Sequence, residues 1–213
     1  MSTKIGIIGS GVVAQALAAG CIKHGMAVTL GTRDRAKLAA FQAKHPAAQV
    51  ASTEEAARIG DIVVLAVKGK VAEELVKTLA PQLAGKTVID TTNPIADAPP
   101  QNGVLRFFTS LDKSLLEILQ SAAPDAHFVK AFNCVGSAHM VDPAFAGGKP
   151  TMFIAGNHDG ARKQVAGLLE TFGWEVADMG KAEAARAIEP LCMLWCIPGF
   201  TQNQWSHAFK LVR

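Results

Sequence analysis

Short apolar runs alternate along the chain with longer stretches whose apolar positions recur every three or four residues. The first kind reads as strands buried on both faces, the second as helices with one buried side. KIGIIG (4–9) predicts a strand, and a helix follows over 12–24 until Gly25 stops it. AVTLG (27–31) predicts the second strand and DRAKLAAFQAKH (34–45) the second helix, ended by Pro46. AQVA (48–51) is a short third strand. Ser52 and Glu55 then fit a capping box opening a brief helix that stops at Gly60. DIVVLAV (61–67) is a continuous apolar strand. A helix to about Ala80 and a strand within KTVIDTTNP (86–94) follow. Residues 94–110 lack periodicity, are rich in Pro, Asn and Gly, and read as a long loop. Beyond them the pattern predicts a helix over about 111–122, a strand HFVKAF (127–132) and another in PTMFIAG. A helix over about 159–172, the segment WEVADMG and an apolar helix EAARAIEPLCMLW (183–195) complete it.

This rhythm predicts an α/β fold: a Rossmann-type, doubly wound, mostly parallel sheet with helices on both faces. A small C-terminal α/β extension is expected beyond it, either continuing the main sheet or forming a lobe. The expected division is a dinucleotide-binding domain over 1–135 and a smaller region over 136–213, forming an acceptor pocket and a dimer contact. Composition agrees: 49% of the 213 residues are hydrophobic, enough for a substantial core. The net charge of +3 with scattered basic residues excludes the clustered basic face of a nucleic-acid binder. No apolar stretch reaches the ~18 residues of a membrane span, and the opening residues lack a signal-peptide pattern. A cytoplasmic protein with no membrane partner is therefore expected. None of the four cysteines forms a C-x-x-C pair, and no metal site is expected. Cys192 and Cys196, one helical turn apart, read as small core residues. The absence of tyrosine excludes the Tyr-x-x-x-Lys chemistry of short-chain dehydrogenases.

Gly9-x-Gly11-x-x-Ala14 follows a strand and opens a helix, the context a pyrophosphate cradle requires. Gly9 permits the tight turn, Gly11 lets phosphate approach the backbone, and Ala14 keeps the helix near the sheet. Ser10, Val12 and Val13 complete the cradle, whose helix N-terminus offers free N–H groups. At the end of the second strand an NAD site usually carries Asp or Glu for the ribose hydroxyls. Here Thr32 and Arg33 come first, with Lys37 four residues after Arg33. A guanidinium pairs with a 2′-phosphate that a carboxylate would repel, so the cofactor is read as NADP(H). Ligands of this fold sit outside the carboxyl ends of the strands. Val67, Lys68 and Val71, then Thr92, Asn93, Pro94 and Ile95, are expected around the same crevice, with the nicotinamide near Asn93.

No proton donor stands out. His139, near the carboxyl end of the sixth strand, is the best histidine candidate, and Lys68, Lys130 and Lys70 are others, with no partner evident for the lysines. A flavin-like acceptor needs none, because its ring takes hydride directly.

The segments IGIIGSGVVAQALA, GTRD, DIVVLAVKG, VIDTTNP, VKAFNCVGSAHM and RAIEPL together resemble the family of coenzyme F-420-dependent NADP oxidoreductases. The chain is similar also to the cytosolic oxidoreductase domain of six-transmembrane metalloreductases, without their membrane half. The resemblance implies that Ser10, Thr32, Arg33 and Lys37 hold the 2′-phosphate and that Val67, Lys68 and Val71 line the channel toward the nicotinamide. It implies that Asn93, Pro94 and Ile95 flank the nicotinamide. Asn133, Cys134 and Val135 would border a second ring, closed over by the segment from Leu191 to Pro198. The expected function is hydride transfer between NADP(H) and a small-molecule acceptor, either F-420 or FMN/FAD. An NADPH-binding sensor or scaffold and a small carbonyl or imine reductase are the alternatives. The apolar stretch IEPLCMLWCIPGF reads as core or as a homodimer contact, with the dimer favoured.

Overall fold

The computed structural model describes residues 2–212. Six strands form one parallel sheet: β1 (Lys4–Ile8), β2 (Ala27–Gly31), β3 (Gln49–Ala51), β4 (Ile62–Leu65), β5 (Thr87–Asp90) and β6 (His127–Lys130). Their order is β3-β2-β1-β4-β5-β6, so the chain reverses its winding between β1 and β4. Successive residues of each strand point to opposite faces, and the buried side chains sort accordingly. Ile5, Ile7, Ile62 and Val64 lie on one face, with α1 (Val12–Lys23), α2 (Ala39–Lys44) and α6 (Asp159–Thr171). Ile8, Val63 and Leu65 lie on the other, with α3 (Thr53–Ile59), α4 (Gly69–Leu83), α5 (Leu115–Ala122) and α7 (Ala185–Ile188). Both faces are covered, as a parallel sheet requires.

The C-terminal part builds a second, two-stranded parallel sheet from β7 (Thr151–Ile154) and β8 (Glu175–Asp178). It meets the main sheet where the Lys130 N–H donates to the Ala155 carbonyl at 2.9 Å. Met152 and Ile154 belong to the same buried cluster as Ile5 and Val129, so hydrophobic packing runs continuously across residue 135.

Five local expectations change. The second helix opens as a 3-10 turn over Arg35–Leu38, capped by Asp34, before α2 begins. Helix α4 continues through Pro81 to Leu83. Helix α5 starts at Leu115, because Ser114 and Glu117 form a reciprocal capping box there. At α3 only half such a box forms: Ser52 accepts from the Glu55 N–H. The expected apolar helix is broken into a 3-10 turn (Ala182–Ala184), α7 and α8 (Leu191–Gln202), which turn at Glu189 and Pro190.

The expected loop over 94–110 is a folded arm. Ile95 pairs with Phe107 and Gln101 with Val104, around a turn in which Asn102 and Gly103 both have positive φ. Its apolar underside covers α8: Leu105 and Phe107 pack with Cys192, Trp195 and Cys196. All four cysteines are free and buried. Among the described residues no helix is long and apolar enough to cross a membrane.

The Lys86 ammonium donates to the carbonyls of Ala57, Arg58 and Gly60 at 2.6–2.8 Å, closing the C-terminal end of α3. Lys86→Met should lower the unfolding free energy by about 1–3 kcal/mol, measured by urea denaturation. An unchanged midpoint would show that the cap contributes nothing.

Candidate active site at the carboxyl edge of the sheet

The reversal of winding opens a crevice between β1 and β4. At the end of β1, Gly9 has φ +138°, and any β-carbon there would collide with the Ala66 carbonyl at the end of β4. Its N–H donates to the Gly31 carbonyl at the end of β2, 2.9 Å away. Three strand ends are thereby drawn together. Gly11, exposed, is the N-cap of α1 and offers no side chain. No side chain caps α1, and its first turn holds no acidic residue. Helix α4, which begins after Lys68 on the other side of the crevice, also lacks a side-chain cap. By contrast, Ser52, Ser114 and His158 cap α3, α5 and α6. Helices α2, α7 and α8 also start without a side-chain cap, but each continues directly from a preceding helical turn. Helices α1 and α4 are the bare starts beside the winding reversal, and each presents N–H donors and a positive dipole end.

At the end of β2, Thr32 is half-buried and Arg33 and Lys37 are exposed. The one carboxylate in this corner, Asp34, accepts from the Ala36 N–H and lies 3.9 Å from Lys37. Thr32 Oγ1 accepts from the Asp34 N–H at 3.1 Å. Arg33 joins no ion pair among the described residues. The corner is basic, and its acid is turned into its own helix.

Val67 is half-buried, and Lys68 and Val71 are exposed along the start of α4. Gly69 permits that helix to abut β5: a β-carbon there would collide with the Asn93 carbonyl. Asn93 Nδ2 donates to the Asn133 carbonyl at 2.8 Å, and Asn133 Nδ2 donates to the Ile188 carbonyl at 3.0 Å. Pro94 is buried and Ile95 exposed. Cys134 and Val135 are buried beside Asn133. Burial pushes the Cys134 thiol up to about 12, so it stays neutral and forms an apolar wall. Phe132, just before this group, holds a left-handed φ of +62° while fully buried. Such strain costs about 1–3 kcal/mol and persists only where the surroundings over-determine it.

The acid–base candidates His139 and Lys68 are not brought together. His139 Nε2 is 3.0 Å from Ser206 Oγ, and its ring lies against Phe145. Lys68 is exposed at the start of α4.

Under the Thr92–Asn93 turn lies a cluster that sequence reasoning did not assemble. Lys130 Nζ is 2.5 Å from Asp90 Oδ2 and 2.9 Å from Glu189 Oε1, and all three side chains are buried. Burial alone would push the ammonium down. The carboxylates of Asp90 and Glu189 outweigh it and hold Lys130 above the ordinary lysine value. Glu189 also accepts from the Leu115 and Leu116 N–H groups at 2.9 and 3.0 Å, at the start of α5. The available signal was one charge inside each of three apolar runs, VID, FVKAF and AIEPL. Beside Glu189 a cavity of about 250 Å3 opens between Phe107, Ser110, Arg186, Pro190 and Met193.

This geometry defines the class of the protein, a Rossmann-type doubly wound α/β protein with its crevice at the winding reversal. Comparison with known proteins supplies the family. A family model described as NADP oxidoreductase, coenzyme F420-dependent, matches residues 4–94. A solved structure from Arthrobacter sp. FB24, provisionally assigned as an F420-dependent NADP reductase, superposes with a TM-score of 0.93 at 30% identity, covering all of both chains. The F420-dependent NADP reductase of Methanocaldococcus jannaschii is 28% identical over 145 residues, covering 66% of this chain and 63% of that one. The metalloreductase STEAP3 of Rattus norvegicus is 32% identical over 200 residues, covering 92% of this chain. This chain spans 38% of that relative's length. The chain belongs to the family of F420-dependent NADP oxidoreductases.

Glu117 ties α5 to α7: Arg186 Nη2 donates to its carboxylate at 2.6 Å, and the Ser114 N–H donates at 2.8 Å. The Arg186 hydrogen bond, more than any other influence, holds the Glu117 carboxyl well below its usual range, at about 2. A depressed carboxyl pKa stabilises the fold above the unfolded value, and that contribution is lost as pH falls from about 4.5 toward 2. Glu117→Gln should therefore be less stable than the unsubstituted chain at pH 6, with the gap closing by pH 2. Denaturant midpoints across that range measure it, and a gap independent of pH would refute the ion-pair account.

Proposed function

We propose that this oxidoreductase binds NADP(H) along the crevice and exchanges hydride with a flavin-like acceptor, F-420 or FMN/FAD. The observation that carries the reading is the pairing of a bare α1 N-terminus with a basic corner whose carboxylate is turned away. The pyrophosphate would lie on the N–H groups from Gly11 to Val13. The 2′-phosphate would lie against Ser10, Thr32, Arg33 and Lys37, and the nicotinamide against Asn93, Pro94 and Ile95. When bound, NADP(H) supplies the hydride chemistry. The chain's residues bind it, orient the ring and exclude water. Asn133 and the neutral Cys134 thiol border the acceptor's side, with the arm and α8 closing over it. A flavin-like ring fits a site whose histidine candidate is engaged elsewhere and whose buried lysine is already paired.

Arg33→Ala should weaken NADPH binding about 30-fold, roughly 2 kcal/mol, and leave NADH binding within about threefold. Titration calorimetry with both cofactors measures this, and equal losses would overturn the NADP(H) reading. A homodimer is part of the same reading, supported by exposed Val104, Leu194 and Phe200 on the arm and α8. Sedimentation at high concentration should show a dimer, and a strictly monomeric profile would contradict it.

A further inference from the structure

We propose that the buried Asp90–Lys130–Glu189 cluster positions the nicotinamide end of the cofactor, an inference that rests on the NADP(H) reading. Every polar group of Thr92 is held by this cluster. Its N–H and Oγ1 donate to Asp90 Oδ1 at 2.9 and 2.7 Å, and its carbonyl accepts from Lys130 Nζ at 2.9 Å. Thr92 therefore has one backbone arrangement, and Asn93 and Pro94 follow it directly into the crevice. The other side of the cluster reaches the acceptor's side. Glu189 sits at the turn between α7 and α8, lines the adjoining cavity, and is preceded by Ile188, whose carbonyl binds Asn133. A single buried node thus joins the floor under the nicotinamide to the segment that closes over the second ring.

Two features favour positioning over plain stabilisation. Apolar residues of the same volume often stabilise a core as well as buried ions do, so three buried charges point to a role beyond stability. Phe132, between Lys130 and Asn133, is also held in a strained conformation that turns Asn133 toward Asn93 and Ile188. Lys130 touches neither cofactor nor acceptor in this arrangement and acts through Thr92 and Glu189.

The test separates the two halves of the cofactor. The affinity of NADPH is compared with that of 2′-phospho-ADP-ribose, which lacks the nicotinamide. The proteins are the unsubstituted chain, Glu189→Gln, and a neutral triple variant carrying Asp90→Asn, Lys130→Met and Glu189→Gln. The triple variant leaves no lone buried charge, and Glu189→Gln decides the question should the triple not fold. The unsubstituted chain is expected to bind NADPH at least about tenfold more tightly than the fragment. The variants are expected to keep fragment affinity and lose most of that advantage. A folded variant that retains the full advantage, or loses fragment binding equally, would overturn the proposal, as would an unsubstituted chain that binds both alike. An unsubstituted chain that binds neither ligand would instead overturn the NADP(H) reading.

Discussion

The site depends on one ammonium group buried between two carboxylates. Removing Lys130 alone would leave two carboxylates buried without a counter-charge, at a cost of about 3–5 kcal/mol. The three residues come from the end of β5, the end of β6 and the turn between α7 and α8. Glu189 adds α5 by taking its first two N–H groups. Four segments distant in sequence are therefore fixed relative to one another by directional bonds. Apolar packing would hold them together but would not set their register so closely.

The opposite end of the crevice is built differently. There the protein leaves its own groups unsatisfied: α1 starts without a side-chain cap, and Arg33 joins no ion pair among the described residues. The contrast with α5, whose N-terminus is occupied by Ser114 and Glu189, is the physical basis for assigning an anion to α1. In the proposed reading the crevice pairs a cationic phosphate end with a ring end held by a buried ion cluster. Such a division suits a reaction that depends on ring alignment more than on a proton donor.

Much of this was legible in the amino-acid pattern, because it rests on local or short-range rules. Strands β1 and β4 are continuous apolar runs, and GSG follows the first. The basic corner is four consecutive letters, GTRD. What was hidden depends on partners far apart in the chain. The arm over 95–107 looks aperiodic because its pairing is to itself across an Asn102–Gly103 turn and its packing is onto α8. The break at Glu189 and Pro190 interrupts a stretch that reads as one helix, and there Glu189 turns inward to pair with the buried Lys130. Lys130 itself, read alone, is a lysine with no partner. Only the fold supplies two. His139, the best histidine by position, is engaged by the C-terminal tail instead.

Amide hydrogen exchange with and without NADPH tests both ends of the crevice at once. The account predicts slowed exchange at 10–14 and 31–34, where phosphates would meet backbone, together with slowed exchange at 92–95 and 133–135. An absence of protection at 10–14, or protection confined to surfaces away from the carboxyl edge of the sheet, would contradict it.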